Sequence, residues 1–168
     1  MKKQILSLMI FAIALCGVAG VILMNTLKMA EGKFEGDLRI GRDGEASDTL
    51  EINELGLIPG SQMEYTVHMT SRIAGDYTLT LDFEEIAESP LKDFVIVELL
   101  HDGVLLTSAP LNEALEGETL TSACYLSAED MSDLIVRFKM PVEVGDEAKN
   151  LTASFEINVQ IAIDSAIS

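Results

Sequence analysis

The sequence has few of the residue types on which disulfide-rich, metal-binding or aromatic-rich proteins depend. It contains two cysteines, two histidines, four prolines and no tryptophan. Cys16 lies in the one long apolar run, so the rest of the chain holds only Cys124 and forms no internal disulfide. A disulfide-stapled secreted fold is therefore excluded, and stability has to come from a hydrophobic core. We expect Cys124 to be a small buried residue, with an intermolecular crosslink as the alternative.

The sequence motifs of common enzyme classes are also missing. There is no H-E-x-x-H zinc motif, no G-x-S-x-G nucleophile elbow and no glycine-rich phosphate loop. His68 falls on a predicted strand and His101 in a predicted turn, which argues against a shared zinc site. A domain this small without tryptophan would also be an unusual glycoside hydrolase. We predict no catalytic residue, no metal site and no cofactor, and a protein that is not an enzyme.

Basic residues are scarce, with 11 lysines and arginines against 28 acids. Residues 1–30 hold three lysines and no acid, so the remainder carries 8 basic and 28 acidic side chains and a net charge of −20. This charge repels nucleic acid and anionic lipid, and favours cations, basic surfaces or other copies of the chain as partners. Loop carboxylates could bind calcium, but none has D-x-D-x-D-G spacing, so a solvated acidic surface is favoured. The acidic clusters are Asp82-Glu84-Glu85-Glu88, Glu129-Asp130-Asp133 and Glu143-Asp146-Glu147.

The first feature that the chain does have is an N-terminal segment with the pattern of an export signal. Met1-Lys2-Lys3 precedes an uncharged apolar run from Ile5 to Met24. At about 1.5 Å per residue this run just crosses a hydrocarbon core of about 30 Å, with the lysines on the cytoplasmic side. The pattern predicts a secreted or cell-surface protein, with residues 1–30 as signal peptide or membrane anchor. Cleavage by a signal peptidase and retention of residues 5–24 in the membrane both stay open.

After residue 30, apolar and polar side chains alternate in one segment after another. In residues 150–163 nearly every second side chain is apolar, which is typical of a strand buried on one face. His101-Asp102-Gly103 predicts a hairpin turn, and only residues 127–133 resemble a helical turn. We predict one all-β domain over residues 31–168, a single antiparallel β-sandwich of jelly-roll or immunoglobulin type. The same alternation occurs in residues 62–70, 76–83 and 134–140.

A shorter alternating segment follows the leader directly. In residues 33–41, Phe34, Leu38 and Ile40 alternate with charged side chains, which predicts a short strand. One interpretation is an edge strand of the same sandwich. The other is an N-terminal strand that adds to the sheet of another subunit through backbone hydrogen bonds and inserted side chains.

Three segments also show a family resemblance. Residues 33–38 (KFEGDL) follow the leader, residues 57–60 (LIPG) introduce the next strand, and residues 150–160 run from Asn-Leu through Phe to Gln. In this layout the chain resembles the TasA/camelysin family of exported bacterial proteins, whose members form biofilm-matrix fibres or sit at the cell surface. The resemblance implies a jelly-roll sandwich. From the fibre-forming members it also implies an N-terminal strand donated to the next subunit, here residues 33–41.

We therefore interpret the chain as an exported structural protein that assembles with copies of itself or with related matrix subunits. Its mechanism would be strand donation by residues 33–41. Phe34, Leu38 and Ile40 would be the inserted anchors, each contributing about 1.5–3 kcal/mol if fully buried. The alternative is a membrane-anchored extracellular β-sandwich that binds a ligand or a cation and does not polymerise. This alternative predicts that residues 33–41 pair within their own sheet.

Overall fold

The computed structural model describes the backbone of residues 33–164 and the side chains of residues 36–164. The predicted signal or anchor, residues 1–30, lies outside the described residues. None of the helices in the described part is long and apolar enough to cross a membrane. The described chain contains nine strands, one short helix and two 3₁₀ turns. These are β1 Lys33–Ile40, β2 Glu45–Gly56, β3 Gln62–Ser71, β4 Gly75–Ala87, a 3₁₀ turn Pro90–Phe94, β5 Ile96–His101, β6 Val104–Pro110, α1 Leu111–Leu115, β7 Leu120–Leu126, β8 Met131–Lys139, a 3₁₀ turn Asp146–Ala148 and β9 Thr152–Ile163.

The strands form two sheets that pack face to face. The five-stranded sheet has the order β1-β3-β8-β5-β6, and the four-stranded sheet has the order β2-β9-β4-β7. From β2 to β9 the order is that of the double Greek key of a jelly roll, and β1 extends one edge of the five-stranded sheet. The prediction of a β-sandwich is confirmed.

The expectation of purely antiparallel pairing is wrong at one place. β1 pairs parallel with β3, whereas the other strand pairs of the described chain are antiparallel. The reason is connectivity. β2 lies between β1 and β3 in the chain but belongs to the opposite sheet, so it acts as the crossover that parallel neighbours require.

The core lies between the sheets and follows the alternation that the sequence predicts. Burial alternates along β3, β4, β8 and β9 with the apolar side chains inward. Phe138 on β8 and Phe155 on β9 join the two sheets, with ring centroids 5.3 Å apart. Tyr65 contacts the edge of Phe138 at 5.9 Å, and Phe83 contacts Phe155 at 6.2 Å. These four rings form a continuous row of aromatic contacts between the two sheets and stabilise their packing.

Two local predictions have opposite outcomes. The hairpin at residues 101–103 is confirmed, because Asp102 and Gly103 form a two-residue turn with φ of 47° and 79° between β5 and β6. The helical turn predicted at residues 127–133 is wrong. There the Glu129 N–H donates to the carbonyl of Ser71 at 2.7 Å, and β8 begins at Met131, so pairing with β3 replaces a local helical bond.

Cys124 lies on β7, and its side chain is 7% exposed. The expectation that it is a small buried residue is confirmed. Its thiol packs in the core cluster with the large apolar side chains.

Candidate functional site

The candidate assembly strand is β1, at the edge of the five-stranded sheet. All eight of its residues pair with β3, in a register that places Phe34 opposite Tyr65, Leu38 opposite Met69 and Ile40 opposite Ser71. The other edge of β1 pairs with no strand of residues 33–164. In the single chain β1 therefore completes its own sheet.

The structure brings two of the three predicted anchors together on the inner side of β1. Leu38 and Ile40 are 4% and 3% exposed and belong to the core, while Asp37 and Arg39 face solvent. Alternation along the strand produces this division, because successive side chains point to opposite faces of a sheet. The side chain of Phe34 lies outside the described residues. That these residues form an assembly strand stays a prediction.

A four-residue turn, Gly41 to Gly44, links β1 to β2. Gly44 has a φ of +81°, and a side chain at this position would overlap Ile163 at the end of β9. Its carbonyl accepts a hydrogen bond from the Ile163 N–H at 2.9 Å. At the other end of the turn, the Gly41 N–H donates to the carbonyl of Glu45 at 3.1 Å. The turn is thus attached to β9 through Gly44, the residue next to β2. β1 joins the turn at its other end, through Gly41.

The solvent face of the five-stranded sheet carries an ionic network that holds β3 in place. Arg137 on β8 donates from Nε to Glu64 on β3 at 2.7 Å and from Nη1 to Glu98 on β5 at 3.1 Å. Burial alone would lower the pKa of Arg137, but its hydrogen bonds to the two glutamates raise that pKa above its ordinary value. Because the three residues lie directly opposite one another in register, the network fixes the alignment of β3.

The two histidines flank β8 on either side, each beside an aspartate. His68 Nδ1 on β3 lies 2.7 Å from Asp133 Oδ1. His101 Nε2 on β5 lies 3.5 Å from Asp102 Oδ2, without the alignment of a hydrogen bond. Within the described part of the chain, no three His, Cys, Asp or Glu residues are arranged to hold a metal ion. The expected absence of a metal site stays a prediction.

Sequence reasoning missed two features of this region. One is the ionic network of Arg137. In the sequence it could have been recognised from a single arginine on an apolar strand and from acids on two other predicted strands. The other is the turn from Gly41 to Gly44, whose signal was two glycines around an arginine and an aspartate at the end of a short strand. Arg137 fixes β3, the strand on which β1 pairs, and the turn joins β1 to β2.

No family model and no curated protein matches the chain. Solved structures similar to it include the C-terminal domain of EclA, a sugar-binding protein, at 21% identity and a TM-score of 0.41, covering 68% of this chain and 77% of that one. The C-terminal CBM6 of LamC from Zobellia galactanivorans is 13% identical with a TM-score of 0.36, covering 69% and 90%. A β-glucosidase from Paenibacillus barengoltzii is 17% identical with a TM-score of 0.37. The aligned region covers 77% of this chain but only 13% of that enzyme. Similarity at this level carries no argument about function.

Proposed function

We propose that this protein is an exported structural subunit of the TasA/camelysin type, which assembles by placing its β1 strand on β3 of another copy. The observation that carries the proposal is the position of β1. It is the first strand and an edge strand of the sandwich, and among the strands of residues 33–164 it pairs with β3 alone.

β1 covers the edge of β3 and contributes two side chains to the core. If β1 leaves, the β3 edge loses pairing over eight residues, and such an edge is a template for another strand. Leu38 and Ile40 also leave the core, at a cost of about 1.5–3 kcal/mol each. A β1 strand from a second copy restores the same hydrogen bonds and the same buried side chains. Exchange of an identical element is a low-cost route from monomer to assembly.

The connection to β2 allows this exchange. The turn from Gly41 to Gly44 contains two glycines, which reach backbone conformations that other residues avoid. Gly44 is tied to Ile163, so the hinge lies between Gly44 and the end of β1 at Ile40. Apart from β3, no strand of the jelly roll from β2 to β9 is hydrogen-bonded to β1 within residues 33–164, so we expect that pairing to survive the departure of β1.

A cysteine-exchange experiment tests the proposal. Arg39 and Thr70 are register partners on β1 and β3, and both lie on the solvent side. Chains carrying Arg39→Cys are mixed with chains carrying Thr70→Cys, both in a Cys16→Ser, Cys124→Ser background, and oxidised after assembly. We expect interchain disulfides between the two variants, because parallel neighbours lie within disulfide reach, about 4.4–6.8 Å between Cα atoms. Non-reducing gels and peptide mapping give the measurement.

Two controls make the result specific. Mixing Arg39→Cys chains with Lys139→Cys chains should give no crosslink, since residue 139 lies on β8, which is separated from β1 by β3. The double variant Arg39→Cys/Thr70→Cys, oxidised when dilute, should lose both free thiols to an intrachain bond and remain a monomer. The double variant shows whether the two positions can form a disulfide at all. If it oxidises fully while the mixture of single variants forms no interchain disulfide at any protein concentration, the strand-exchange proposal is wrong.

A second candidate function rests on the same strand. The alternative of a membrane-anchored, non-polymerising binding domain predicts that β1 pairs within its own sheet, and in the single chain it does. Its partner would be a ligand or a cation such as calcium. A saturable, stoichiometric rise in melting temperature with calcium, together with absence of interchain crosslinks, would support it.

A further inference from the structure

The basic residues of this acidic chain are not evenly spread. The sequence has four arginines, and three of them line one open pocket with a volume of about 410 Å³. Arg39 comes from β1, Arg42 from the turn after β1, and Arg72 follows the end of β3. In a chain with a net charge of −17, this concentration of positive charge at one end of the sandwich is unexpected. We name this site the arginine pocket.

No carboxylate of the described residues occupies the three guanidinium groups, which leaves them available to a ligand. Among the described residues, none of them forms a salt bridge with a carboxylate, although acids outnumber bases on the chain. Arg137, the fourth arginine, shows the contrast, because it is engaged by Glu64 and Glu98. Unpaired arginines that converge on one pocket leave fork-shaped donors that match the oxygens of a carboxylate or phosphate.

The backbone determines where the side chain of Arg39 points. Because Leu38 and Ile40 face the core, Arg39 faces outward, beside Thr70 of the neighbouring strand. Thr70, a hydroxyl-bearing residue, also lines the pocket. One acid, Glu129 on the β7–β8 loop, also lines the pocket. Its backbone N–H donates to the Ser71 carbonyl, which holds this part of the loop against the end of β3.

We propose that the arginine pocket binds the oxyanion group of a small ligand, a carboxylate or a phosphate, with Arg39, Arg42 and Arg72 as the donors. The pocket is in the size range of small-molecule sites, about 300–1,000 Å³. It therefore accommodates a free oxyanion or one acidic unit of a sugar chain. Glu129 opposes the bound charge and limits affinity. The site does not depend on strand exchange, because the closed single chain already forms it.

Calorimetric titration of the exported protein tests the site, in a buffer free of phosphate and carboxylate. The probes are inorganic phosphate and a short oligogalacturonate, with a neutral galactose oligomer as blank. We expect saturable one-to-one binding of at least one acidic probe and none of the blank. Phosphate binding identifies a free oxyanion as sufficient, and oligogalacturonate binding without phosphate binding identifies the carboxylates of an acidic sugar.

Matched variants separate the pocket from net charge. Arg42→Gln/Arg72→Gln should weaken binding by at least about tenfold, because each lost charge-assisted hydrogen bond is a large fraction of the affinity. Lys139→Gln/Lys149→Gln changes the net charge equally at exposed positions outside the pocket and should leave binding unchanged. Glu129→Gln should tighten binding severalfold, because it removes the opposing carboxylate. Far-ultraviolet circular dichroism confirms that each variant is folded.

Three outcomes would overturn the proposal. One is the absence of saturable binding of both acidic probes to the folded wild type. Another is equal weakening in the two double variants, which would reduce the effect to net charge. The third is a change in self-association of the Arg42→Gln/Arg72→Gln variant without any anion binding by the wild type, which would assign the pocket to the acidic surface of a second copy.

Discussion

At the scale of single residues, Tyr77 shows how this core includes a polar atom. The side chain is fully buried, and its hydroxyl lies 2.7 Å from Ser71 Oγ while donating to the Ile73 carbonyl at 2.8 Å. Ser71, itself 1% exposed, thus shares a closed network with Tyr77 at the crossing from β3 to β4. The network satisfies the polar atoms of a loop that passes from one sheet to the other.

Removing this hydroxyl should therefore weaken the fold. We expect Tyr77→Phe to lower the free energy of unfolding by about 1–2 kcal/mol, because Ser71 and the Ile73 carbonyl lose a buried partner. Urea denaturation provides the measurement. Tyr125→Phe, at an exposed position on β7, is the matched control and should change stability by less than about 0.5 kcal/mol. Equal effects of the two substitutions would contradict the role of the network.

Cys124 should be chemically inert in the folded chain. Burial, reinforced by the carboxylates of Asp102, Asp164 and Asp76, raises the pKa of its thiol to about 11. The thiolate is the reactive form, so at pH 8 its population falls about 100-fold relative to a thiol of pKa 9.0. We expect iodoacetamide to label Cys124 at least about 100-fold more slowly in the native protein than in urea, in a Cys16→Ser background. Equal labelling rates would show that the thiol is accessible.

At the scale of elements, the sequence predicts the inward face best for strands with uninterrupted alternation. β3, β4, β8 and β9 carry it, and their inward faces are as expected. The bounds and inward face of β2 were not predicted, because a register shift between Ile52 and Leu55 places two inward side chains three positions apart, which breaks the two-residue period. β7 escaped prediction because polar Ser122 occupies one of the few positions of its alternating pattern.

In the candidate site, too, some features could be predicted from the sequence and others could not. The inward orientation of Leu38 and Ile40 was predictable, since it needs only local alternation. The parallel pairing of β1 with β3 was not, because it depends on which sheet the intervening β2 joins. The arginine pocket was not predictable either, since its residues come from chain segments that only the fold brings together.

The turn before β2 gives a prediction at this scale. Gly44 and Gly103 both have positive φ, but a side chain at Gly44 would overlap Ile163, whereas nothing lies within 4 Å of one at Gly103. We expect Gly103→Ala to lower the free energy of unfolding by about 1 kcal/mol from backbone strain alone, and Gly44→Ala to lower it by about 2–4 kcal/mol. Urea denaturation midpoints compare the two. Equal losses would mean that Ile163 moves aside freely.

At the scale of the whole molecule, charge determines how readily copies meet. The net charge of −17 makes every encounter between copies repulsive, and the Debye length falls from about 30 Å at 0.01 M salt to about 8 Å at 0.15 M. We expect the interchain crosslinks of the Arg39→Cys and Thr70→Cys mixture to form several times faster at 0.15 M than at 0.01 M sodium chloride. The intrachain bond of the double variant should form at the same rate in both. Slower interchain crosslinking at higher salt would indicate that contacts between opposite charges govern the encounter.

If β1 exchanges as proposed, the position of Arg39 on that strand has a further kinetic consequence. Arg39 travels with β1, whereas Arg72 stays with β3, so the arginine pocket is whole only while some β1 strand occupies the β3 edge. An anion bound across this division stabilises both occupied forms equally and the vacant form not at all. It would leave the ratio of monomer to assembly unchanged and raise the barrier between them. Such a ligand would act as a latch, preserving whichever state the protein had reached when the anion bound.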